Sequence, residues 1–364
     1  MSMIDRDCLS KDAAKSYLNL SVTREYREST RGAAGGSTNL VAWNPIGSLI
    51  AVSSASTLSP GKIRIWNPDR VDAKFSSELK GHSANISSIA WNPTTTEQLL
   101  SSSAADGAIV IWDVRSNKPE KIVRLTALEK PWIPGQAYNG ITMTLGVDMS
   151  PFLAQFSPDG QSVVVVSKNR RILMLDISLQ LKCPLVDIND DELGEITAFS
   201  IAYSGSFIVL AFSTGFVNFY QLYSDHIGDL IYSLAAHCAS ISCLAIDPRG
   251  KYLALGSSDS LVSIWDLSEL TCKKTLAKSA HPVKSVAFSW DGAYLAVSAD
   301  GNAPIDIIHL DSGDVVYSIQ RSASFTSECV EWHPSRYSLA YSGDSTGFYI
   351  LGRFSERNMR SSHR

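Results

Sequence analysis

Residues 82–113 read HSANISSIAWNPTTTEQLLSSSAADGAIVIWD, and residues 237–266 read HCASISCLAIDPRGKYLALGSSDSLVSIWD. Each stretch holds three short apolar runs that are separated by turns rich in Pro, Gly, Asp and Ser. Short runs of β-branched and small residues between such turn signals indicate β-strands. The two stretches therefore predict one unit of short antiparallel strands that is repeated along the chain.

The residue that ends the first apolar run recurs at regular intervals. We place this anchor at Trp43, Trp91, Phe156, Tyr203, Ile246, Phe288 and Trp332. The spacings are 48, 65, 47, 43, 42 and 44 residues, and a period of about 40 to 45 residues is typical of a β-propeller blade. Seven anchors therefore predict an all-β, seven-bladed propeller. Its third strands are expected at 63–66, 109–112, 172–175, 216–220, 261–265, 305–308 and 348–351.

A ring of blades has to be closed, because an unpaired strand edge would otherwise remain at the last blade. The strand pattern stops after the third strand of the seventh unit, whereas Val22 and Tyr26 lie in an alternating stretch near the N-terminus. We therefore expect residues 20–27 to supply the fourth strand of blade seven. The predicted organisation is an N-terminal extension at 1–19, one propeller domain at 20–354 and a basic polar tail at 355–364.

Charge and hydropathy narrow the class of function. The 364 residues carry a net charge of -4 and a sequence pI near 6.0, which is not the basic signature of a nucleic-acid-binding protein. Any RNA contact is therefore expected to be local or to be made through a partner. The sequence has no signal-peptide pattern and no apolar run of membrane-spanning length, so we expect a soluble intracellular protein.

Common metal-binding and phosphate-binding motifs are missing from the sequence. The six cysteines are scattered without a Cys-x-x-Cys pair, so neither a zinc site nor a disulfide framework is indicated. Neither a GxxxxGK loop nor an HExxH pattern occurs. We expect no enzyme activity, no cofactor and no small-molecule substrate.

The repeated unit resembles the WD-repeat family over residues 40–354. In that family a His, a Ser or Thr, an Asp and a Trp form a hydrogen-bonded tetrad within a blade. The resemblance implies one tetrad of His82, Asp106, Trp112 and one of Ser101 to Ser103, for which we take Ser102, and a second of His237, Ser257, Asp259 and Trp265. A His, a Ser and an Asp could also form a nucleophilic triad. We favour the structural role, because the same set occurs in two units.

The interval from Trp91 to Phe156 is longer than the others and predicts an insertion at about 115–150. Trp132 and Tyr138 lie beside Pro and Gly in this insertion, and exposed aromatic residues of this kind often anchor protein interfaces. Trp132 could equally fold back onto the ring. Arg115 completes a Trp-Asp-x-Arg motif that resembles the one in WD-repeat receptors of cullin ubiquitin ligases, and it is our third candidate for partner binding.

Two charged segments lie outside the repeated strands. Residues 187–195 are acidic, and the tail at 355–364 is basic. The acidic segment could meet a basic partner, but we favour a solvated loop, because charge runs in loops usually serve solubility. The tail could touch RNA or an acidic protein, although a solvated end is the favoured interpretation.

The last three units resemble one group of WD-repeat proteins, the WD-repeat subunits of the THO complex, which is part of the TREX assembly. Residues 236–266, 282–292, 305–307 and 331–334 carry the resemblance, together with residues 24–28. It implies a nuclear, non-catalytic scaffold subunit that binds large helical THO/TREX partners in transcription-coupled mRNP assembly and mRNA export. RNA would be contacted mainly through the complex. The alternative is another WD-repeat adaptor, such as a cullin ubiquitin-ligase substrate receptor.

Overall fold

The computed structural model describes residues 8–27, 37–55, 60–69, 77–125, 142–145, 149–276, 280–321, 329–342 and 347–353. These residues form seven β-sheets, one α-helix and one short 3₁₀ helix. The described part of the chain is therefore almost entirely β-structure, as predicted.

The sheets are the blades of a propeller, and the first strand of each unit is innermost. Blade one contains β2 (Ser37–Trp43), β3 (Ile50–Ala55), β4 (Lys62–Trp66) and β5 (Ser77–Lys80). Blade two contains β6 (Ser88–Trp91), β7 (Gln98–Ser103), β8 (Ala108–Asp113), β9 (Lys118–Leu125) and β10 (Thr142–Leu145). Blade three contains β11 (Leu153–Phe156), β12 (Ser162–Val166), β13 (Arg171–Asp176) and β14 (Val186–Asp187). Blades four and five contain β15 (Ile196–Ile201), β16 (Phe207–Phe212), β17 (Phe216–Leu222) and β18 (Ile227–Ala235); β19 (Ile241–Ile246), β20 (Tyr252–Ser257), β21 (Val262–Asp266) and β22 (Thr271–Leu276). Blades six and seven contain β23 (Val283–Phe288), β24 (Tyr294–Ala299), β25 (Ile305–His309) and β26 (Val315–Ile319); β27 (Val330–Trp332), β28 (Leu339–Ser342), β29 (Gly347–Gly352) and β1 (Val22–Arg27).

The ring is closed at blade seven by the N-terminal strand. β1 pairs antiparallel with β29, from Val22 opposite Gly352 to Arg27 opposite Gly347. The innermost strands contact one another around the whole ring, and β27 contacts β2. This arrangement confirms the predicted seven blades and their closure, and the predicted third strands coincide with β4, β8, β13, β17, β21, β25 and β29.

The apolar core is divided among the seven interfaces between neighbouring blades. Strand β8, which is apolar at successive positions, contributes to two of these interfaces. Ile109 and Ile111 pack in the cluster between blades two and three, whereas Val110 and Trp112 pack in the cluster between blades one and two. Because successive side chains point to opposite faces of a strand, a strand between two blades needs apolar residues on both faces.

The recurring Asn-Pro, Asp-Pro and His-Pro turns also connect blades. Asn92, which follows the anchor Trp91, donates through Nδ2 to the carbonyl oxygen of Gly160 in the next blade, at 3.3 Å. Gly160 has a φ of 68°, and a Cβ there would lie 2.4 Å from Asn92 Oδ1, so a side chain would break the contact. His333 contacts the Gly47 carbonyl in the same way across the closing interface. The motif thus links adjacent blades.

The two faces of the ring are distinguished by their turns. We call the strands of a blade a to d from the centre outward; the side that carries the ab and cd turns is the ab face, and the other side is the bc face. Helix α1 (Lys11–Asn19) lies on the ab face over blades six and seven. It begins at Ser10, whose side chain accepts from the Ala13 amide, and it buries Ala14 and Leu18. The predicted N-terminal extension therefore contains a helix that packs on the ring.

Two sequence assignments need correction. The anchor of blade four is Ile201, which lies opposite Ile208 as Trp91 lies opposite Leu99. Tyr203 lies beyond the end of β15 and is 59% exposed. The range predicted as an insertion, 115–150, begins with β9, the ordinary fourth strand of blade two, and later contributes β10, which pairs parallel with β9.

Candidate protein-interaction surfaces

The His-Asp-Ser-Trp group of blade two is a continuous hydrogen-bonded chain. His82 Nδ1 lies 2.9 Å from Asp106 Oδ2, and His82 Nε2 lies 2.8 Å from Ser101 Oγ. Trp112 Nε1 donates to the same Ser101 Oγ at 2.8 Å. Burial opposes ionisation of Asp106, but hydrogen bonds from His82 and from two backbone amides lower the pKa of its carboxyl group overall. The group fixes the bc turn and the da connection onto strand c.

The geometry does not suit nucleophilic catalysis. Ser101 is fully buried, and its hydroxyl group lies between the His82 and Trp112 side chains. A nucleophile needs an open approach for the substrate carbonyl and a nearby oxyanion site. Because Ser101 has no such approach, the arrangement suits a structural tetrad.

Ser102 is not the tetrad serine. Its Oγ lies 2.7 Å from Ser88 Oγ, and it donates to the Phe152 carbonyl of blade three. The reason is the pleat of β7, which points successive side chains to opposite faces. Ser101 therefore faces Trp112, whereas Ser102 faces the next blade.

The tetrad of blade five takes its hydroxyl group from another strand. His237 Nε2 lies 2.7 Å from Ser263 Oγ, and Trp265 Nε1 donates to that oxygen at 2.8 Å. The predicted Ser257 instead donates to the Ser240 carbonyl. In blade two, Ser101 on strand b lies opposite Val110 on strand c; in blade five, Leu255 lies opposite Ser263. Directly opposite residues share a face, so either strand can place the hydroxyl group.

We expect Ser101→Ala to be more destabilising than Ser263→Ala. Each change removes the acceptor of an indole N–H, and an unsatisfied buried donor costs about 1–3 kcal/mol. Trp112 is fully buried, whereas Trp265 is only half-buried, so water can compensate in blade five alone. Urea unfolding of the two variants measures the difference, and equal losses of stability would contradict this account.

Arg115 lies on the ab face in the turn after Trp112. Its guanidinium group is 2.9 Å from Glu97 Oε2 and 3.9 Å from Asp113 Oδ1, and 72% of its side chain is exposed. These residues border an open polar cleft of about 560 Å³ between blades two and three, which also contains Glu120 and Gln161. The cleft is lined by charged and amide groups.

The remaining candidates for partner binding are the two aromatic residues, the tail and the acidic segment. Trp132 and Tyr138 lie outside the described residues, as does the tail at 355–364. In the acidic segment, Asp187 pairs with Arg171 at 2.9 Å and Asp191 with Arg170 at 2.6 Å. Neighbouring arginines thus neutralise part of this segment.

A carboxyl group near the centre of the ring was not among the residues predicted to be functional. Glu331 lies on β27, and its Oε2 accepts the Trp43 backbone N–H of β2 at 2.9 Å, which links blades seven and one. Burial raises the pKa of Glu331 to about 8, although the hydrogen bond from Trp43 opposes the shift. The signal available in the sequence was a single acidic residue inside the apolar stretch 329–332.

The raised pKa of Glu331 predicts a pH-dependent stability. Between its ordinary value of 4.5 and about 8, the folded state holds a proton that the unfolded state has lost. Stability from this group is therefore greatest below pH 4.5 and falls by up to about 1.4 kcal/mol per pH unit through the window. We expect Glu331→Gln to lack this fall. In urea unfolding, the stability of the variant relative to the native sequence should therefore increase from pH 5.5 to pH 8.5.

A matched variant controls for general effects of pH. Glu192 is exposed within the 3₁₀ helix Asp191–Leu193, so Glu192→Gln removes one exposed acidic side chain and serves as the control for losing a carboxyl group. A constant difference between Glu331→Gln and the native protein across this range would show that Glu331 does not titrate as described.

The described residues hold no group of three or more His, Cys, Asp or Glu side chains that could bind a metal ion. Within the same ranges, no helix has the length and apolar character needed to cross a membrane.

Comparison with known proteins agrees with the geometry. The family description "WD domain, G-beta repeat" matches residues 73–113, 228–266 and 270–304. THO complex subunit 3 of Arabidopsis thaliana is 31% identical over 306 residues, which cover 84% of this chain and 85% of that protein. WD repeat-containing protein AAC3 of Dictyostelium discoideum is 29% identical over 357 residues, which cover 92% of this chain and 66% of that protein.

The crystal structure of the Cps50 (Swd1) β-propeller domain of Myceliophteria thermophila has a TM-score of 0.69 and 21% identity, covering 91% of this chain and all of that one, and it shares the fold. The chain belongs to the WD-repeat family of β-propellers. Within that family it resembles THO complex subunit 3 over most of both chains.

Proposed function

We propose that this chain is a non-catalytic scaffold subunit of a THO-type complex, which acts by protein–protein contact in transcription-coupled mRNP assembly and mRNA export in the nucleus. The observation that carries the proposal is the 31% identity to THO complex subunit 3, which extends over 84% of this chain and 85% of that protein. A match of this extent includes the blades that differ from the generic repeat.

The physical properties of the chain support the same function. A closed ring holds its turns rigidly and displays them on two faces, so several partners can bind at once. The net charge of -4 favours RNA contact through other subunits, because direct binding relies on neutralising phosphates. The partners are accordingly the large helical THO/TREX proteins.

Affinity isolation from nuclear extract tests the proposal. The tagged full chain should enrich THO subunits in quantitative mass spectrometry, and the enrichment should persist after ribonuclease treatment, because the contacts are between proteins. Enrichment of cullin adaptors without THO subunits would contradict it. Arg115→Ala separates the two outcomes, since capture through a Trp-Asp-x-Arg motif would be lost in that variant.

A further inference from the structure

The outer strand of blade four differs from the other outer strands. β18 is nine residues long, and five consecutive residues, 229–233, are exposed. Leu230, Ile231 and Tyr232 expose 47%, 52% and 43% of their surface. Sheets usually protect an open edge with lysine, proline or a very short strand. β18 contains neither lysine nor proline.

The described outer strands of the other blades are protected. β14 has two residues, β5 ends in Lys80, and β22 carries Lys273 and Lys274. Helix α1 packs against β26, and β1 carries the charged residues Arg24, Glu25 and Arg27. β9 is the other long outer strand, and β10 covers it. Among the outer strands that the structure describes, β18 is therefore the long, apolar and uncovered one.

Blade two shows how such an edge is filled. β10 pairs with residues 122–125 of β9. The amide of Leu125 donates to the Gly107 carbonyl, and the amide of Ala236 donates to the Gly215 carbonyl. Leu125 and Ala236 therefore hold equivalent positions in their blades, and residues 122–125 correspond to residues 233–236. The position that β10 occupies in blade two thus has a counterpart at the end of β18, which no described strand fills.

The shape of β18 restricts pairing to that end. A bulge lies between its pairs with Tyr220 and Phe219, after which residues 232–235 pair regularly with β17. β9 has a bulge at the corresponding place, between its pairs with Ile111 and Trp112. A bulge interrupts the hydrogen-bond ladder locally, so a short added strand fits on the regular part of β18 that follows the bulge. The apolar patch Leu230–Tyr232 then lies beside the added strand.

The charge around β18 defines the partner. Residues 183–248 contain no lysine or arginine in a chain that has 32 of them. The same stretch contains eight acidic residues, three of which, Asp187, Asp191 and Asp247, pair with arginines outside it. Asp229 lies on β18, and the Asp225 side chain just before it is 78% exposed. The exposed carboxyl groups at β18 therefore favour a basic partner.

We propose that the outer edge of blade four binds a basic, extended segment of a partner protein, which adds a short strand to residues 233–236 and places apolar side chains on Leu230–Tyr232. Backbone hydrogen bonds and alternating side-chain contacts are the means by which strand addition achieves affinity and specificity. A second copy of this chain is a poorer occupant, because it would bring two lysine-free acidic edges together. The surface stands independently of which complex the chain joins.

A phage-displayed library of random twelve-residue peptides, selected on the full chain, tests the proposal. Selected peptides should alternate apolar residues with Lys or Arg. In fluorescence anisotropy, Asp229→Lys and Ile231→Lys should each weaken a selected peptide roughly tenfold or more, the effect of losing about 1.4 kcal/mol of contact. Val315→Lys on β26 is the matched control and should change nothing.

Several results would overturn the proposal. These are the absence of enriched peptides, enrichment of acidic peptides, or binding that the blade-four variants do not change. Light scattering supplies a further check, since a dimer that Ile231→Lys dissociates would make a second copy the occupant. Unchanged thermal unfolding of both variants would show that the loss of binding does not come from misfolding.

Discussion

Deletion of residues 1–27 is expected to destabilise the entire ring rather than blade seven alone. The deletion removes β1 and exposes the edge of β29. It also removes Tyr26, which stacks on Phe348 of blade seven with 4.9 Å between ring centroids and packs edge-on against Trp66 of blade one. With the buried Ala14 and Leu18 also lost, the apolar contribution alone is about 5 kcal/mol or more, comparable to the total stability of many domains.

Two deletions separate the contributions of the strand and the helix. Deletion of residues 1–19 removes α1 but keeps β1, so it should cost less than deletion of 1–27. Adding a synthetic peptide of residues 8–27 to the longer deletion should restore stability, because the peptide supplies both elements. Urea unfolding, followed by tryptophan fluorescence and circular dichroism, measures each step. If the chain lacking residues 1–27 unfolded at the same urea concentration as the full chain, closure by β1 would be contradicted.

Trp112→Ala is expected to cost about 3–5 kcal/mol of unfolding free energy, the range for deleting a large buried aromatic side chain. Trp112 is fully buried and packs with Ile65 and Val110 between blades one and two. A Cβ on Gly81 would lie only 2.7 Å from its ring, so the backbone packs directly on the indole. The resulting cavity cannot close without moving one blade against the next.

Matched variants divide the effect of Trp112 into its parts. Trp112→Phe retains much of the ring volume but loses the hydrogen bond to Ser101, and should cost roughly 1–2 kcal/mol. Trp265→Ala removes the half-buried tryptophan of the blade-five tetrad and should cost less than Trp112→Ala. Denaturant midpoints measure all three variants. If Trp112→Ala were no more harmful than Trp265→Ala, burial would not govern the contribution of these residues.

Periodicity in the sequence predicted the blades because each unit repeats the same physical requirement. A strand between two neighbouring blades is apolar on both faces, as in residues 109–112, and the turns need Pro, Gly or Asp. Closure followed from the need to cover the edge of β29. Blade four was misaligned by two residues at Tyr203, because Ile201, the true anchor, is less conspicuous than an aromatic residue.

Contacts between distant residues were harder to predict. The tetrad serines depend on the strand pairing and the pleat, which place Ser101 and Ser263 rather than Ser102 and Ser257 beside the histidines. β10 pairs with β9 although residues 126–141 separate the two strands in the sequence, and no local pattern predicts that pairing. Helix α1 left a weak signal, since Ser10 precedes apolar residues spaced four apart at Ala14 and Leu18. The raised pKa of Glu331 comes from its burial in the folded ring, which no local pattern shows.

Reconstitution from purified components tests the proposed function most directly. The full chain would be mixed with purified large helical THO subunits in the presence of ribonuclease, and the mixture would be analysed by size-exclusion chromatography with light scattering. We predict that the chain elutes together with those subunits in a stable complex, whereas the chain deleted of residues 1–27 does not. Elution of the intact, folded chain on its own at every concentration tested would contradict its assignment as a THO scaffold subunit.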